Sequence, residues 1–184
     1  MRIFVPLRGL CFLRSWGVFM KSNNNLEKIK VLIVDDEKLI QRLVYDVLTR
    51  LGFRLITVAN SGRQAMDLVA KLEFDFIITD WQMKNLNGID LIRYVRSSPH
   101  TKNGRIPFIM LTGNSEVRDV VEARDAGVNE YIIKPFSSEQ LVRRIRSIIE
   151  RPKSYVVSPN YIGPNRRHKN EPPPHGIERR KRTK

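Results

Sequence analysis

Between residues 29 and 150 the apolar positions of this chain keep two alternating rhythms. Short runs rich in β-branched residues, such as Ile29–Val34 and Phe74–Thr79, have the near-continuous apolar character of strands covered on both faces. Between them, apolar residues return every third or fourth position, as in helices with one buried stripe. The pattern predicts strands at Ile29–Val34, Arg54–Ala59, Phe74–Thr79, Pro107–Leu111 and Tyr131–Ile133. A first helix carries Ile40, Leu43, Val44, Val47, Leu48 and Leu51 and stops at Gly52; a second follows Ser61 with Ala65, Leu68, Val69 and Leu72 inward. A third runs from about Ile89 to Ser97, and a fourth over Val117–Ala126, closed by Gly127. Ser137 and Gln140 form a capping box for the last helix, whose stripe is Leu141, Ile145, Ile148 and Ile149.

Strict strand–helix alternation with short connections calls for an α/β, doubly wound parallel sheet of five strands with helices on both faces. In such sheets function gathers at the carboxyl ends of the strands, where the chain order reverses. After Glu150 the periodicity stops, and Pro152, Pro159, Pro164 and Pro172–Pro174 oppose regular structure. The expected organisation is therefore an N-terminal extension over 1–27, one domain over 28–150 and a disordered basic, proline-containing tail over 151–184. Tyr155, Val156, Val157, Tyr161 and Ile162 are apolar for a pure linker, and could dock on the domain or on a partner.

Charge sharpens that division. Of the formal +14, +4 falls on residues 1–21 and +8 on residues 151–184, which leaves +2 for residues 22–150. The middle is a near-neutral globular unit, and the excess lies on its two ends. The clusters at 163–167 and 178–184 admit a solvated tail or attraction to nucleic acid, an anionic membrane or an acidic partner. The tail is too short for a helix-turn-helix domain. Cys11 is the only cysteine, so no intrachain disulfide can form, and a reducing cytoplasm fits. No run is long and uncharged enough to span a bilayer. The first twenty residues, basic and bulky-apolar without a small-residue cleavage site, suit a membrane-surface segment or sequence ahead of a start at Met20; the second is preferred.

Acidic residues gather where the strands end. Asp35, Asp36 and Glu37 follow the first strand and Asp80 the third; Thr112 follows the fourth, and Lys134 with Pro135 the fifth. Singly, each suits a helix cap or a solvated loop. Together they would bring three carboxylates to one sheet edge, where like charges repel unless a cation neutralises them. A hard divalent cation such as Mg2+ meets that demand with oxygen ligands and can also bridge to a phosphoryl oxygen. Asp80 is then a carboxylate nucleophile able to form an aspartyl phosphate, with Lys134 and Thr112 supplying a charge and a hydroxyl to the phosphoryl oxygens.

The segments VLIVDDE, TDWQMKNLNG, MLTG and YIIKPF, in this order and at these separations, resemble the signature segments of the response-regulator receiver family over roughly residues 28–150. The resemblance implies a flavodoxin-like strand order 2-1-3-4-5. It implies a cytoplasmic, stand-alone response regulator of two-component phosphorelay signalling, similar to chemotaxis regulators. Such a protein would take a phosphoryl group on Asp80 from a histidine kinase or phosphotransfer protein with Mg2+. It would not be a conventional enzyme, acting only on its own aspartate and on the hydrolysis of that phosphate.

The resemblance assigns Asp36 as a direct Mg2+ ligand, Asp35 as its partner through water, Asp80 as phosphoacceptor and ligand, and the backbone carbonyl of Gln82 as the remaining ligand. Thr112 matches the switch hydroxyl, Lys134 the phosphate-binding lysine, and Tyr131 the aromatic that swings inward. Lys134–Pro135 is expected to be cis. Output is expected through the face of the fourth helix, fifth strand and fifth helix, toward a downstream protein or a phosphorylation-dependent homodimer. Lys84 stands where the family usually has proline, and Leu86 where methionine is common. Gln82 and Asn114 occupy positions that tune phosphoryl lifetime in the family. A constitutive binding module with the same fold, and a basic-tailed regulator that binds nucleic acid, are the competing functions.

Overall fold

The structure, a computed structural model, describes residues 26–97, 102–113, 117–158 and 161–165. Five parallel strands, β1 (Lys30–Val34), β2 (Leu55–Ala59), β3 (Phe76–Asp80), β4 (Phe108–Thr112) and β5 (Glu130–Ile133), form one sheet in the order β2-β1-β3-β4-β5. This is the flavodoxin-like order the resemblance implies. The helices are α1 (Lys38–Leu51), α2 (Gly62–Lys71), α3 (Gly88–Ser97), α4 (Val117–Ala126) and α5 (Ser138–Glu150).

Because strand side chains alternate, β1 feeds two cores at once. Val31 and Ile33 pack with Val44, Leu48 and Leu51 of α1 and with Leu141 and Ile145 of α5. Leu32 and Val34 pack on the other face with Ala65 and Val69 of α2, Ile89 and Ile92 of α3, and Ala123 of α4. β3 and β4 are buried at every position, as central strands between two helical layers must be. The strand boundaries fall one or two residues from those read in the sequence. Leu72, expected on the inner stripe of α2, instead ends that helix and is half-exposed.

The local signals that set the helices are present in the coordinates. The Ser61 hydroxyl accepts from the Gln64 backbone N–H at 3.2 Å. Ser137 does the same for Gln140 at 3.3 Å, while the Gln140 side-chain oxygen accepts from the Ser137 N–H at 2.8 Å. Each satisfies N–H groups that a helix leaves open at its start.

Two expectations at the domain limits are corrected. The fold begins earlier than 28, with a single 3-10 turn at Leu26–Lys28 that buries Leu26 in the core. The tail is not disordered throughout, because β6 (Tyr155–Ser158) and β7 (Tyr161–Pro164) form an antiparallel hairpin. Apolar side chains decided this against the prolines: Tyr155 reaches Arg96, a buried arginine of α3, and Pro164 closes the second strand where its missing N–H is tolerated. The hairpin sits close against α4, for a Cβ on Gly127 would meet the carbonyl oxygen of Ile162 at 2.9 Å. Residues 1–25 and 166–184, with the Met20 start, Cys11 and most of the basic clusters, lie outside the described residues.

Candidate functional site

The carboxyl ends of β1 and β3 bring Asp35, Asp36 and Asp80 together. One oxygen from each carboxylate lies within 4.8 Å of the others. Asp35 is fully buried and Asp80 is 3% exposed, whereas Asp36 is only partly covered. Each is oriented by backbone. The Glu37 N–H donates to Asp35 Oδ1 at 2.8 Å, the Trp81 N–H to Asp80 Oδ1 at 2.9 Å, and the Lys84 N–H to Asp36 Oδ2 at 3.2 Å.

Lys134 enters from the end of β5. Its Nζ lies 2.9 Å from Asp80 Oδ1, 3.3 Å from Asp35 Oδ2 and 3.7 Å from Glu37 Oε1. The Lys134–Pro135 peptide is cis, as the resemblance implies. Thr112 is buried at the tip of β4, and its carbonyl accepts from the Lys134 N–H at 2.7 Å, so hydroxyl and ammonium come from adjoining strand ends.

Burial dominates the electrostatics. Desolvation, aided by the Asp80 charge and opposed by the Glu37 N–H and Lys134, pushes the Asp35 carboxyl up to about 6. Burial also raises Asp80, against the stabilising bond from Lys134. Burial works against charge on Lys134, but its bond to Asp80 and the charges of Asp35 and Asp80 outweigh that, and the ammonium is held above the usual lysine range. One ammonium is thus shared by carboxylates that remain short of positive charge. An all-oxygen donor set with a cation deficit suits a hard divalent ion, and the residues fit Mg2+.

The remaining expected residues fall into place unevenly. Gln82 lies two residues beyond Asp80 in the exposed part of the β3–α3 loop. Tyr131 is 38% exposed on β5 and lines a pocket against α4. Asn114 lies outside the described residues. Sequence reasoning missed the role of Gly88. Its N–H donates to the Trp81 carbonyl at 2.9 Å, and a Cβ there would collide with the Asp80 carbonyl oxygen. The signal was the Asn87–Gly88 pair, taken only as the end of a loop.

Comparison with known proteins agrees with this geometry. Residues 31–146 match the family described as the response regulator receiver domain. The chain is 38% identical over 125 residues to the chemotaxis protein CheY-3 of Vibrio cholerae, covering 68% of this chain and 95% of that one. It is 38% identical over 123 residues to the chemotaxis protein CheY of Pseudomonas aeruginosa, covering 67% and 98%. Among solved structures, Vibrio cholerae CheY4 superposes with a TM-score of 0.60 at 29% identity, covering 65% of this chain and 98% of that one. The receiver domain of the sensor histidine kinase PA1611 of Pseudomonas aeruginosa, with a magnesium ion coordinated in its active site cleft, gives 0.59 at 31% identity, covering 66% and 98%. With the acidic cluster, strand order and lysine of that fold all in place, the chain belongs to the response regulator receiver domain family.

Proposed function

We propose that this chain is a response regulator that accepts a phosphoryl group on Asp80 from a phosphohistidine of a histidine kinase or phosphotransfer protein. The observation that carries the proposal is the placing of Lys134 Nζ 2.9 Å from Asp80 Oδ1, at the sheet edge where Asp35 and Asp36 also converge. An Asp80 oxygen attacks phosphorus in line with the departing imidazole nitrogen. The P–O bond forms, the P–N bond breaks, and the nitrogen keeps the electron pair. Asp35, Asp36, Asp80 and the Gln82 carbonyl are the residues that would hold Mg2+, which when bound supplies positive charge to the phosphoryl oxygens.

Lys134 would pass from Asp80 to a phosphoryl oxygen, and the Thr112 hydroxyl would turn toward another. Movement of Thr112 opens space toward β5, into which Tyr131 swings from its half-exposed position. The α4-β5-α5 face then changes shape, and a downstream protein that prefers one shape shifts the balance between the two. The reaction is confined to the protein's own aspartate, phosphorylation and hydrolysis alike. No described helix is long and apolar enough to cross a membrane, and a cytoplasmic site of action is part of this proposal.

Incubation with radiolabelled acetyl phosphate and Mg2+ tests the assignment. Wild type should take up label that is lost with Asp80→Asn. Equal labelling of both proteins removes Asp80 from the role. A Thr112→Ala variant that keeps the full phosphorylation-dependent change in Tyr131 fluorescence removes the switch.

A further inference from the structure

On the β2 side of the acidic cluster, a buried amide holds the chain as it leaves β1. Gln41, in the first turn of α1, is only 6% exposed. Its Nε2 donates to the Asp35 carbonyl at 2.6 Å and to Asn60 Oδ1, just past β2, at 3.0 Å. Its Oε1 accepts from Lys38 Nζ at 3.3 Å, and the same ammonium donates to Asn60 Oδ1. The backbone N–H of Asn60 donates in turn to Gln64 Oε1 of α2 at 2.7 Å. Both partners of Nε2 are oxygens and the partner of Oε1 is an ammonium, so only one orientation of the Gln41 amide fits.

We infer that Gln41 is a positioning residue for the metal-binding carboxylates, that Asn60 holds it in place, and that it sets divalent-cation affinity through the Asp35–Asp36 peptide. This rests on the proposed function and extends it to two residues outside the acidic cluster. Sheet pairing of β1 ends at Val34, opposite Ala59 and Thr79. One residue on, the Asp35 N–H still reaches the Ala59 carbonyl at 3.3 Å, but the Asp35 carbonyl takes its donor from Gln41. That carbonyl shares one rigid plane with the Asp36 N–H. Fixing the plane fixes the direction in which the Asp36 side chain leaves the backbone. Asp36 needs this more than its neighbours do. Asp35 and Asp80 are buried, whereas Asp36 is partly covered and its carboxylate takes a backbone donor from across the site, the Lys84 N–H at 3.2 Å. Without the amide, the Asp36 oxygen can drift from the place where the three carboxylates lie within 4.8 Å of one another. Being neutral, the amide does this without competing with a cation for the carboxylates.

Titration of the full chain with Mg2+, isotopically labelled and followed by the amide shifts of Glu37 and Trp81, tests this. Gln41→Leu removes the amide at similar volume and should raise the Mg2+ Kd about tenfold, as loss of a group behind a metal ligand does. Asn60→Ala leaves Gln41 present but unheld, and should raise the Kd about threefold. Because Asn60 acts through Gln41, the double variant should match Gln41→Leu rather than multiply the two effects. Acetyl phosphate labelling gives a second reading. Uptake by Gln41→Leu should fall at low Mg2+ and return to the wild-type rate once Mg2+ saturates. An unchanged Kd in either single variant, multiplied effects in the double variant, or a labelling loss that saturating Mg2+ does not restore overturns the inference. If Gln41→Leu fails to fold, Asn60→Ala, a change at an exposed side chain, decides the matter by its Kd. Wild type that binds Mg2+ but takes no label defeats only the phosphorylation, and the Kd comparison still decides Gln41. Wild type that takes label, with variants that bind Mg2+ equally well, defeats only the role of Gln41.

Discussion

The hydroxyl of Tyr155 accepts a hydrogen bond from Arg96 Nη2 at 3.2 Å while its ring centroid lies 5.1 Å from the arginine's Cζ. Arg96 is only 6% exposed, and among the described residues it has no carboxylate partner. The carbonyls of Gly104 and Gly127, the Phe108 ring at 5.0 Å and Tyr155 lie against its charge instead. Burial accordingly lowers its affinity for the proton, with Tyr155 opposing that drift. A residue of the supposed tail thus helps to satisfy a buried cation in α3, whose Nε still has no hydrogen-bond partner among the described residues.

Truncating Tyr155 should therefore damage the domain itself. Tyr155→Ala removes the ring and the hydroxyl from a buried cation and is expected to destabilise by about 3 kcal/mol. Tyr155→Phe keeps the ring and should lose about 1 kcal/mol. Urea unfolding of the full chain measures both. Two values near zero would mean that the hairpin does not hold Arg96 in solution.

The same phenol makes an alkaline prediction. Burial raises its pKa, against the Arg96 charge and the Asn129 bond. The unfolded chain releases this proton near pH 10 while the folded state still holds it, so the folded state binds more protons above that pH. Its contribution to stability is complete below about pH 10 and is lost as pH climbs toward the folded value. Wild type should lose stability more steeply than Tyr155→Phe above pH 10, with parallel behaviour below it. Parallel unfolding midpoints across the alkaline range would refute the assignment.

How far the sequence carried the argument differs by element. Both rhythms of apolar residues survived, because β1 and β3 are covered on two faces and α1 and α5 on one, so burial and periodicity agree. The site was legible for a related reason: Asp35, Asp36, Asp80, Thr112 and Lys134 all sit at strand ends, where a shift of one residue in a boundary leaves them at the same edge. The hairpin was not, since Pro159 and Pro164 signal irregularity while what orders Tyr155 is Arg96, distant in sequence and unpaired until the chain folds. Periodicity cannot report a partner that lies outside its window.

Gly88 illustrates another such hidden constraint. The start of α3 crosses the Asp80 carbonyl so closely that a methyl group has no room. The obstacle is backbone, held by the β3–β4 pairing of Asp80 with Leu111, and cannot rotate away. Gly88→Ala should lower stability by about 2 kcal/mol and reduce phosphate uptake together, as the phosphoacceptor is displaced. Thermal melting and acetyl phosphate labelling read the two effects, and an unchanged protein on both counts would show that the loop relaxes freely.

Lys134 places the strongest demand on the acidic cluster, since it is the only described cation within reach of both Asp35 and Asp80. Lys134→Ala leaves two buried carboxylates facing each other with Asp36 nearby. Breaking a buried ion pair on one side typically destabilises by several kcal/mol, but both carboxyls are already raised by burial and can take up protons. That release limits the loss to about 2 kcal/mol at neutral pH without metal. A divalent cation binds the folded form of the variant without competition from the ammonium, and ligand binding to the folded state raises stability in proportion to the logarithm of one plus the ratio of ligand concentration to Kd. Added Mg2+ should therefore raise the melting temperature of Lys134→Ala more than that of wild type, although the variant lacks the charge needed to hold a phosphoryl oxygen. If Mg2+ shifts the two proteins equally, lysine and metal do not share the carboxylates, and the cluster is not the cation site described above.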